Sequence, residues 1–244
     1  MPSLMCSKTK TIPQKLSMKT LLFLLLGLPV LCLSASAQSL TSADEVLNNF
    51  FKAVGGKKAL MAIKDLSYEG TVGGNTPLLI KQKPPFKSLN VATDATGKVT
   101  YKQIIDGKQV FTKVGDNVVP TNPVDAERSI LNAFIMPELY LAQKGVKLTL
   151  AGTEAINGKQ AYKVVYTVAN GSSSWSSYFD TQTGLKVRSV FPGQDGAVWT
   201  VEVDDYRDVN GIKLPYHFVA GAADVRVNKY QMNTGISDTE FNVQ

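Results

Sequence analysis

The sequence has 244 residues, with 26 Lys and Arg against 20 Asp and Glu, one histidine and two cysteines. Four of the lysines precede residue 38, in a segment that we expect to be removed, and this leaves 22 basic against 20 acidic residues. Such a balance gives no indication of binding to nucleic acid or to an anionic membrane. Both cysteines, Cys6 and Cys32, lie in the same segment, so the remaining chain is predicted to have no disulfide, no thiolate metal site and no cysteine nucleophile.

Residues 1–37 show the pattern of a secretory signal peptide. The apolar run 21–33 is too short to span a membrane comfortably, and Ala35-Ser36-Ala37 fits a cleavage site that makes Gln38 the first mature residue. The basic region before the run contains Lys8, Lys10, Lys15 and Lys19. We therefore predict a signal peptide over 1–37 and a single domain over 38–244, a length sufficient to bury one core.

Two alternatives concern this predicted signal peptide. Met18, directly before Lys19, is a second candidate for the start of translation. Cys32 would be the site of lipid attachment, but Leu31 precedes it where a small residue is needed. We therefore predict soluble export and not lipidation.

The first helix is predicted over Ser42–Val54. Ser42 and Glu45 have the spacing of a capping box, an apolar stripe follows, and Gly55-Gly56 ends the helix. A second short helical turn is predicted at Lys57–Ile63. The first helix is expected to plug one end of a β-structure.

From Leu66 onward, short apolar runs separated by turn residues predict one strand after another. The connections are too short for parallel crossovers, so neighbouring strands are expected to be antiparallel. The strands predicted outside the central stretch are 66–72, 78–82, 86–93, 98–106, 109–114, 197–206, 212–219 and 221–231. Asn210-Gly211 is predicted to form a hairpin turn between two of them.

The stretch Gly152–Pro192 carries the clearest strand pattern. Asn157-Gly158 is a strong hairpin signal, and Asp180–Gly184 is a second turn. Between them the residues alternate with a period of two, which predicts antiparallel strands buried on one face only. Large aromatic residues on that face suit a sheet that curves around an apolar interior. The predicted inward residues here include Tyr162, Val164, Tyr166, Val168, Trp175 and Phe179.

The same stretch resembles the LolA-like group of outer-membrane lipoprotein-sorting proteins. The matching residues are Gly152, Glu154, Ile156, Gly158, Lys159, Tyr162, Val164, Tyr178, Phe179, Asp180, Thr183, Gly184, Leu185 and Arg188. A looser likeness extends from Asp44 to Phe241. Strand pattern and resemblance together predict a mainly β (α+β) fold. It would be a single, strongly curved antiparallel sheet of about eleven strands, a half-barrel, with an N-terminal helix and an inserted helical lid. The resemblance also implies the periplasm of a Gram-negative-type envelope.

A helical segment, Pro120–Gly145, interrupts the strands. Asn122-Pro123 is a good helix start, and Pro137 is expected to break or kink the helix near Met136, after which the sequence allows it to resume over Glu138–Gln143. The resemblance implies that this segment covers the open mouth of the curved sheet as a lid. An ordinary core-packing helix is the alternative.

No catalytic or metal-binding motif is present, so we predict no enzyme activity, no catalytic residues, no metal and no cofactor. His217 shares a strand face with Lys213, opposite the apolar residues, and is predicted to be a surface residue. Glu202, Asp204 and Tyr206 are expected to lie on the solvated face, opposite Trp199.

What remains is apolar surface facing the inside of the sheet. An interior not filled by side chains would suit an acyl chain, since burying about ten methylenes contributes about 8 kcal/mol before ordering costs. The candidate cavity and lid residues are Leu131, Phe134, Ile135, Tyr162, Val164, Tyr166, Trp175, Phe179, Trp199 and Val201.

We therefore predict a periplasmic carrier or sensor that binds the acyl chains of a lipid or lipoprotein, with envelope membrane proteins as candidate further partners and no nucleic acid. The alternative is a non-enzymatic structural or partner-binding envelope module with a packed interior.

Overall fold

A computed structural model describes residues 39–169, 171, 173–193 and 196–243. The predicted signal peptide, residues 1–37, lies outside the described residues. The chain from Leu40 onward forms one structural unit. In this part of the chain, no helix has both the length and the apolar character needed to cross a membrane.

Three α-helices and three 3₁₀ turns occur in the described residues. The α-helices are α1 (Ala43–Ala53), α2 (Lys57–Met61) and α3 (Pro123–Leu131), and the 3₁₀ turns are Pro137–Leu139, Leu141–Lys144 and Asp238–Phe241. The predicted capping box of α1 is confirmed, because Ser42 Oγ accepts from the Glu45 N–H and Glu45 Oε2 accepts from the Ser42 N–H, each at 3.2 Å.

The helix α3 begins as predicted but ends early. Asn122 is its N-cap and Pro123 its first residue. It was expected to run to Met136, yet it stops at Leu131. Asn132 is its C-cap, and its backbone N–H and side-chain amide both donate to the Arg128 carbonyl, at 3.1 Å and 2.9 Å.

The described residues form thirteen strands in a single antiparallel sheet, two more than predicted. Their bounds are β1 Leu66–Val72, β2 Thr76–Lys83, β3 Lys87–Thr93, β4 Val99–Ile105, β5 Val110–Val114, β6 Asn117–Val119, β7 Lys147–Ile156, β8 Lys159–Thr167, β9 Ser174–Asp180, β10 Lys186–Pro192, β11 Val198–Val209, β12 Ile212–Ala220 and β13 Ala223–Met232.

The sheet consists of two meanders joined at one place. Strands β1–β6 pair in chain order, and so do β7–β13. The two sets meet where β1 pairs with β13, from Leu66 opposite Met232 to Val72 opposite Val225, and we call this pairing the seam. The two edges of the sheet are therefore β6 and β7. All three residues of β6 are exposed, and β7 is exposed over most of its length, although Leu148 and Leu150 near its start pack against buried apolar residues.

The sheet is strongly curved, because one short helix reaches strands that lie far apart in its order. The helix α3 packs against β5, and Arg128 donates a hydrogen bond of 2.6 Å to the Pro192 carbonyl at the end of β10. These strands are eight positions apart, which corresponds to ~38 Å in a flat sheet. A helix of nine residues is only ~14 Å long. The sheet is thus an open half-barrel, as predicted, and we call the side that faces α1 and α3 its inner face.

The main core lies between the inner face and the helices. It contains the apolar side of α1, the segment around Phe134, and the inward residues of both meanders. The expectation that the strands are buried on one face only was wrong for β7–β10. Ile156, Ala161 and Tyr178 form a second buried cluster on the opposite face, because large side chains from neighbouring strands cover one another there.

The predicted turns of the second meander are confirmed. Asn157-Gly158 and Asn210-Gly211 have positive φ at both residues, which is the geometry that tight hairpin turns between twisted strands require. In the turn after β9, Asp180 Oδ1 accepts hydrogen bonds from Gln182 and Thr183.

Asp65, just before β1, holds the end of the chain against the sheet. Its buried carboxylate accepts hydrogen bonds from the N–H groups of Thr234, Gly235 and Ile236 and from the Thr234 hydroxyl. Burial by itself would raise the pKa of this carboxyl, but the hydrogen bonds outweigh it and hold the pKa below its usual value.

Replacing Asp65 with asparagine should lower the free energy of unfolding by about 1–3 kcal/mol near neutral pH, because buried N–H groups lose an ionised acceptor. The folded-state pKa is depressed, so the carboxylate stabilises the fold above its unfolded pKa of about 3.9 and this contribution is lost as the pH falls through the folded value. Urea unfolding at several pH values should therefore show a smaller acid-induced loss in the variant. Asp116→Asn changes an exposed side chain, and it should alter neither the free energy of unfolding nor its loss in acid. If Asp65→Asn behaves like Asp116→Asn, the stabilising role assigned to Asp65 is wrong.

The seam depends on Gly70. A Cβ at this position would lie 2.2 Å from the backbone carbonyl oxygen of Arg226 on β13, and a backbone atom cannot rotate away as a side chain can. We expect Gly70→Ala to lower the free energy of unfolding by about 1–3 kcal/mol. The neighbouring substitution Thr71→Ala, measured by the same thermal and urea melts, should cost clearly less. Comparable losses in the two variants would show that close packing at Gly70 is unimportant.

Candidate functional site

A cavity of about 230 Å³ lies between the inner face and the helical segment. One wall is Phe50 of α1 and the segment from Asn132 to Pro137. The opposite wall comes from strands of both meanders, with Tyr68 on β1, three residues of β10, three of β11 and two of β12. The strand residues are Tyr68, Lys186, Ser189, Phe191, Val201, Val203, Tyr206, Pro215 and Phe218. The lining is mainly apolar.

The structure brings only some of the sequence-predicted residues to this cavity. Phe134, Ile135 and Val201 line it. Leu131, Tyr162, Val164, Tyr166, Trp175 and Phe179 are buried in the main core instead. In that region Tyr166 stacks on Trp175 with ring centroids 5.2 Å apart, and Phe50 packs on Phe179 at the same distance. The interior beside β8 and β9 is therefore filled by side chains, and the cavity lies beside β10–β12.

Trp199 lies outside the cavity, with 51% of its surface exposed. Its ring lies against Gly221, where an added Cβ would approach to 2.9 Å. The residue belongs to an open groove of about 500 Å³ between α3 and the ends of β10 and β11. Asn132 and Phe191 line both the groove and the cavity, so the two hollows adjoin.

The helical segment is bound to both meanders by polar contacts. Gln82 on β2 accepts a hydrogen bond of 3.1 Å from the Ile135 N–H. Arg128 bonds to the end of β10, as described above, and also pairs with Asp125. Phe134 is 1% exposed and packs edge-on against Tyr140. The segment thus both covers the cavity and contributes to the core, so the two alternatives for it are not exclusive.

The cavity has a charged wall that the sequence analysis did not identify. Lys186 is the only charged residue among the described residues that line it. The Lys186 ammonium lies 2.9 Å from Glu138 Oε1, with only 12% and 2% of the two side chains exposed. The ammonium also lies 5.8 Å from the centroid of the Phe50 ring, within the range of a cation–π interaction. The second oxygen, Glu138 Oε2, is buried without a hydrogen-bond partner among the described residues.

A β-bulge turns Lys186 inward. In the pairing of β9 with β10, Lys186 lies opposite Phe179 and Arg188 lies opposite Tyr178, so Val187 is an extra residue. Strict alternation would put Lys186 on the same face as Arg188. Because of the bulge, Lys186 lies on the inner face with Phe179, while Arg188 bonds to Glu202 at 2.5 Å on the outer face. Alternation alone therefore gave no signal of this inward lysine.

Tyr206 corrects another expectation. It was predicted on the solvated face with Glu202 and Asp204, but it lines the cavity and donates a hydrogen bond of 2.9 Å to the Lys186 carbonyl. Asp205 has a positive φ of 50° and breaks the alternation of β11 just before Tyr206. Burial, and then the negative charge of Glu138, raise the pKa values of the Tyr206 and Tyr166 phenols, so both remain neutral.

His217 lies on the outer face as predicted, but it is less exposed than expected. Its side chain is 13% exposed, with Nδ1 2.7 Å from Asp204 Oδ1 and Nε2 3.3 Å from Asp224 Oδ1. Cross-strand pairing of Asp204 with His217 produces this arrangement. The described residues contain no group of three or more His, Cys, Asp and Glu side chains that could hold a metal ion.

Comparison of the sequence with known proteins gives no match to any family model and none to a curated protein. The fold does match solved structures. A domain assigned as an outer-membrane lipoprotein-sorting protein from Vibrio parahaemolyticus aligns over 81% of this chain and 95% of its own, with a TM-score of 0.54 and 10% identity. A DUF1329 family protein from Desulfovibrio piger aligns over 82% and 96%, with a TM-score of 0.56 and 12% identity.

A LolA superfamily protein from Nitrosomonas europaea aligns over 84% of this chain and 99% of its own, with a TM-score of 0.53 and 9% identity. At such low identity, these similarities concern the architecture alone. They agree with the resemblance seen in the central stretch of the sequence. The chain therefore has the fold of the LolA superfamily and of lipoprotein-sorting domains.

Proposed function

We propose that this protein is an exported carrier or sensor that holds an acyl chain of a lipid or lipoprotein between the inner face and the helical segment, in the periplasm. The observation that carries the proposal is the mainly apolar cavity under that segment, which adjoins an open groove. The signal-peptide pattern of residues 1–37 and the shared fold of a lipoprotein-sorting domain support it.

The dimensions of the site define what it can hold. A cavity of about 230 Å³ is larger than the ~150 Å³ that accommodates a benzene molecule, but smaller than most ligand pockets, which measure about 300–1,000 Å³. A short chain fits inside. A longer one needs more room, and the groove beyond Asn132 and Phe191 supplies it. Each buried methylene contributes about 0.8 kcal/mol, so apolar contact alone can support reversible binding.

Access to the cavity depends on the helical segment. Its polar bonds to the sheet are few, at Gln82, at Pro192 and at Lys186, and Phe134 packs in the core. An outward shift of Asn132–Pro137 would widen the passage between cavity and groove without breaking any strand pairing. The function that we propose is binding and transfer, with no catalytic step.

Filling the cavity should abolish binding without unfolding the protein. Val201, half-buried on β11, lines the cavity, and Val201→Trp would occupy much of its volume. We expect the apolar fluorophore N-phenyl-1-naphthylamine to bind the wild type and to bind this variant about tenfold or more weakly. Val99→Trp makes the same change at an exposed position on β4, away from the cavity, and should bind like the wild type.

Native mass spectrometry of protein purified without detergent gives an independent measurement. Bound lipid mass should be present in the wild type and in Val99→Trp, and absent from Val201→Trp. If the wild type binds neither lipid nor the fluorophore, or if both tryptophan variants bind equally well, the cavity is not the binding site and the carrier proposal fails.

A second candidate function is a partner-binding envelope module, and the edge strand β6 favours it. All three residues of β6 are exposed, and Val118 is 61% exposed. An unpaired edge can accept a strand from another protein. Co-purification with an envelope membrane protein that is lost in Val118→Lys, together with no lipid in the cavity, would favour this function over the first.

A further inference from the structure

We propose that the buried pair of Lys186 and Glu138 selects the polar group of the ligand, so that the cavity takes an acyl chain carrying an uncharged hydrogen-bond acceptor, such as an ester or amide carbonyl, in preference to a free carboxylate. This inference rests on the proposed function and adds the chemical class of the ligand. It assigns a specificity role to Lys186, the charged residue of the lining, and to its partner Glu138.

The first step is the presence of a donor in the cavity wall. An ammonium group has three N–H donors. One is directed to Glu138 Oε1 at 2.9 Å, and Lys186 is a lining residue of the cavity. Two of the other polar lining groups are already engaged. The Ser189 hydroxyl lies 3.0 Å from the Ser177 hydroxyl, and the Tyr206 hydroxyl donates to the Lys186 carbonyl. Lys186 is thus the charged donor of the lining, and its ammonium has N–H groups left for a ligand beyond the one directed to Glu138.

The second step is the charge of the wall. The carboxylate of Glu138 already compensates the ammonium, and it is 2% exposed at the side chain. A ligand carboxylate placed beside Lys186 would be a second negative charge near one positive charge, in a site with little access to water. Removing such a charge from water without a full partner costs several kcal/mol. A neutral carbonyl accepts the same N–H without that cost.

The third step is that the pair is built into the fold by two separate features. The bulge at Val187 turns Lys186 inward, and the 3₁₀ turn that starts at Pro137 places Glu138 beside Lys186. Replacing a buried ion pair with apolar residues is often neutral or stabilising, so stability alone does not require this pair. A role in ligand choice accounts for a charged pair in an otherwise apolar interior.

The test compares methyl decanoate with decanoate, which is ionised at about pH 8, by displacement of N-phenyl-1-naphthylamine. The wild type should prefer the ester. In Glu138→Gln the ammonium loses its counter-charge, and we expect the ratio of ester affinity to acid affinity to fall by about tenfold. Glu154→Gln is the matched control, because Glu154 forms a comparable pair with Lys163 at 2.7 Å on the exposed outer surface. Its ratio should equal that of the wild type.

A double variant, Lys186→Met with Glu138→Leu, keeps the test decisive if Glu138→Gln folds poorly. It removes both charges together, and it should bind the fluorophore like the wild type while binding the ester several-fold more weakly. An unchanged ester-to-acid ratio in a folded Glu138→Gln, or an unchanged ester affinity in the double variant, would overturn the proposal while leaving the carrier function intact. Absence of fluorophore binding in the wild type would instead overturn both.

Discussion

The curvature of the sheet is the constraint on which the interior depends. Thirteen strands paired edge to edge form a surface that is far too wide for a nine-residue helix unless the surface bends. Once it bends, one layer of helices can touch both meanders, and α1 and the segment around Phe134 supply the apolar residues for the core. Side chains fill the space beside β8 and β9 but not the space beside β10–β12, where the cavity remains.

The polar character of this cavity follows from two irregularities on neighbouring strands. The bulge in β10 and the positive φ of Asp205 in β11 each reverse the side-chain alternation once. One brings Lys186 inward and the other brings Tyr206 inward, and the Tyr206 hydroxyl bonds to the Lys186 backbone. The two irregularities therefore both bring polar side chains into the cavity, which is the site that we propose for the ligand.

The sequence predicted the fold well wherever a physical rule acts locally. The capping box at Ser42, the helix start at Asn122-Pro123 and the Asn-Gly hairpins were found because each depends on neighbouring residues. The edge strand β6 was not predicted, since all three of its residues are exposed. Of the predicted residues, Phe134, Ile135 and Val201 line the cavity that we propose as the site, whereas Lys186 and Tyr206 do not follow a period of two and were not expected there. The partner of Lys186, Glu138, lies 48 residues away in sequence, so no local pattern reveals it.

The seam sets the order in which the chain can fold. Each meander pairs strands that follow one another along the chain, and such local contacts form rapidly. The seam instead pairs Leu66 with Met232, the first residue of β1 with the last of β13. Long-range pairings of this kind form slowly, since the entropy cost of closing a large loop comes before any stabilising contact between the strands. The curved interior therefore comes into existence only after nearly the whole chain is available, and until then both β1 and β13 present unpaired edges to their surroundings.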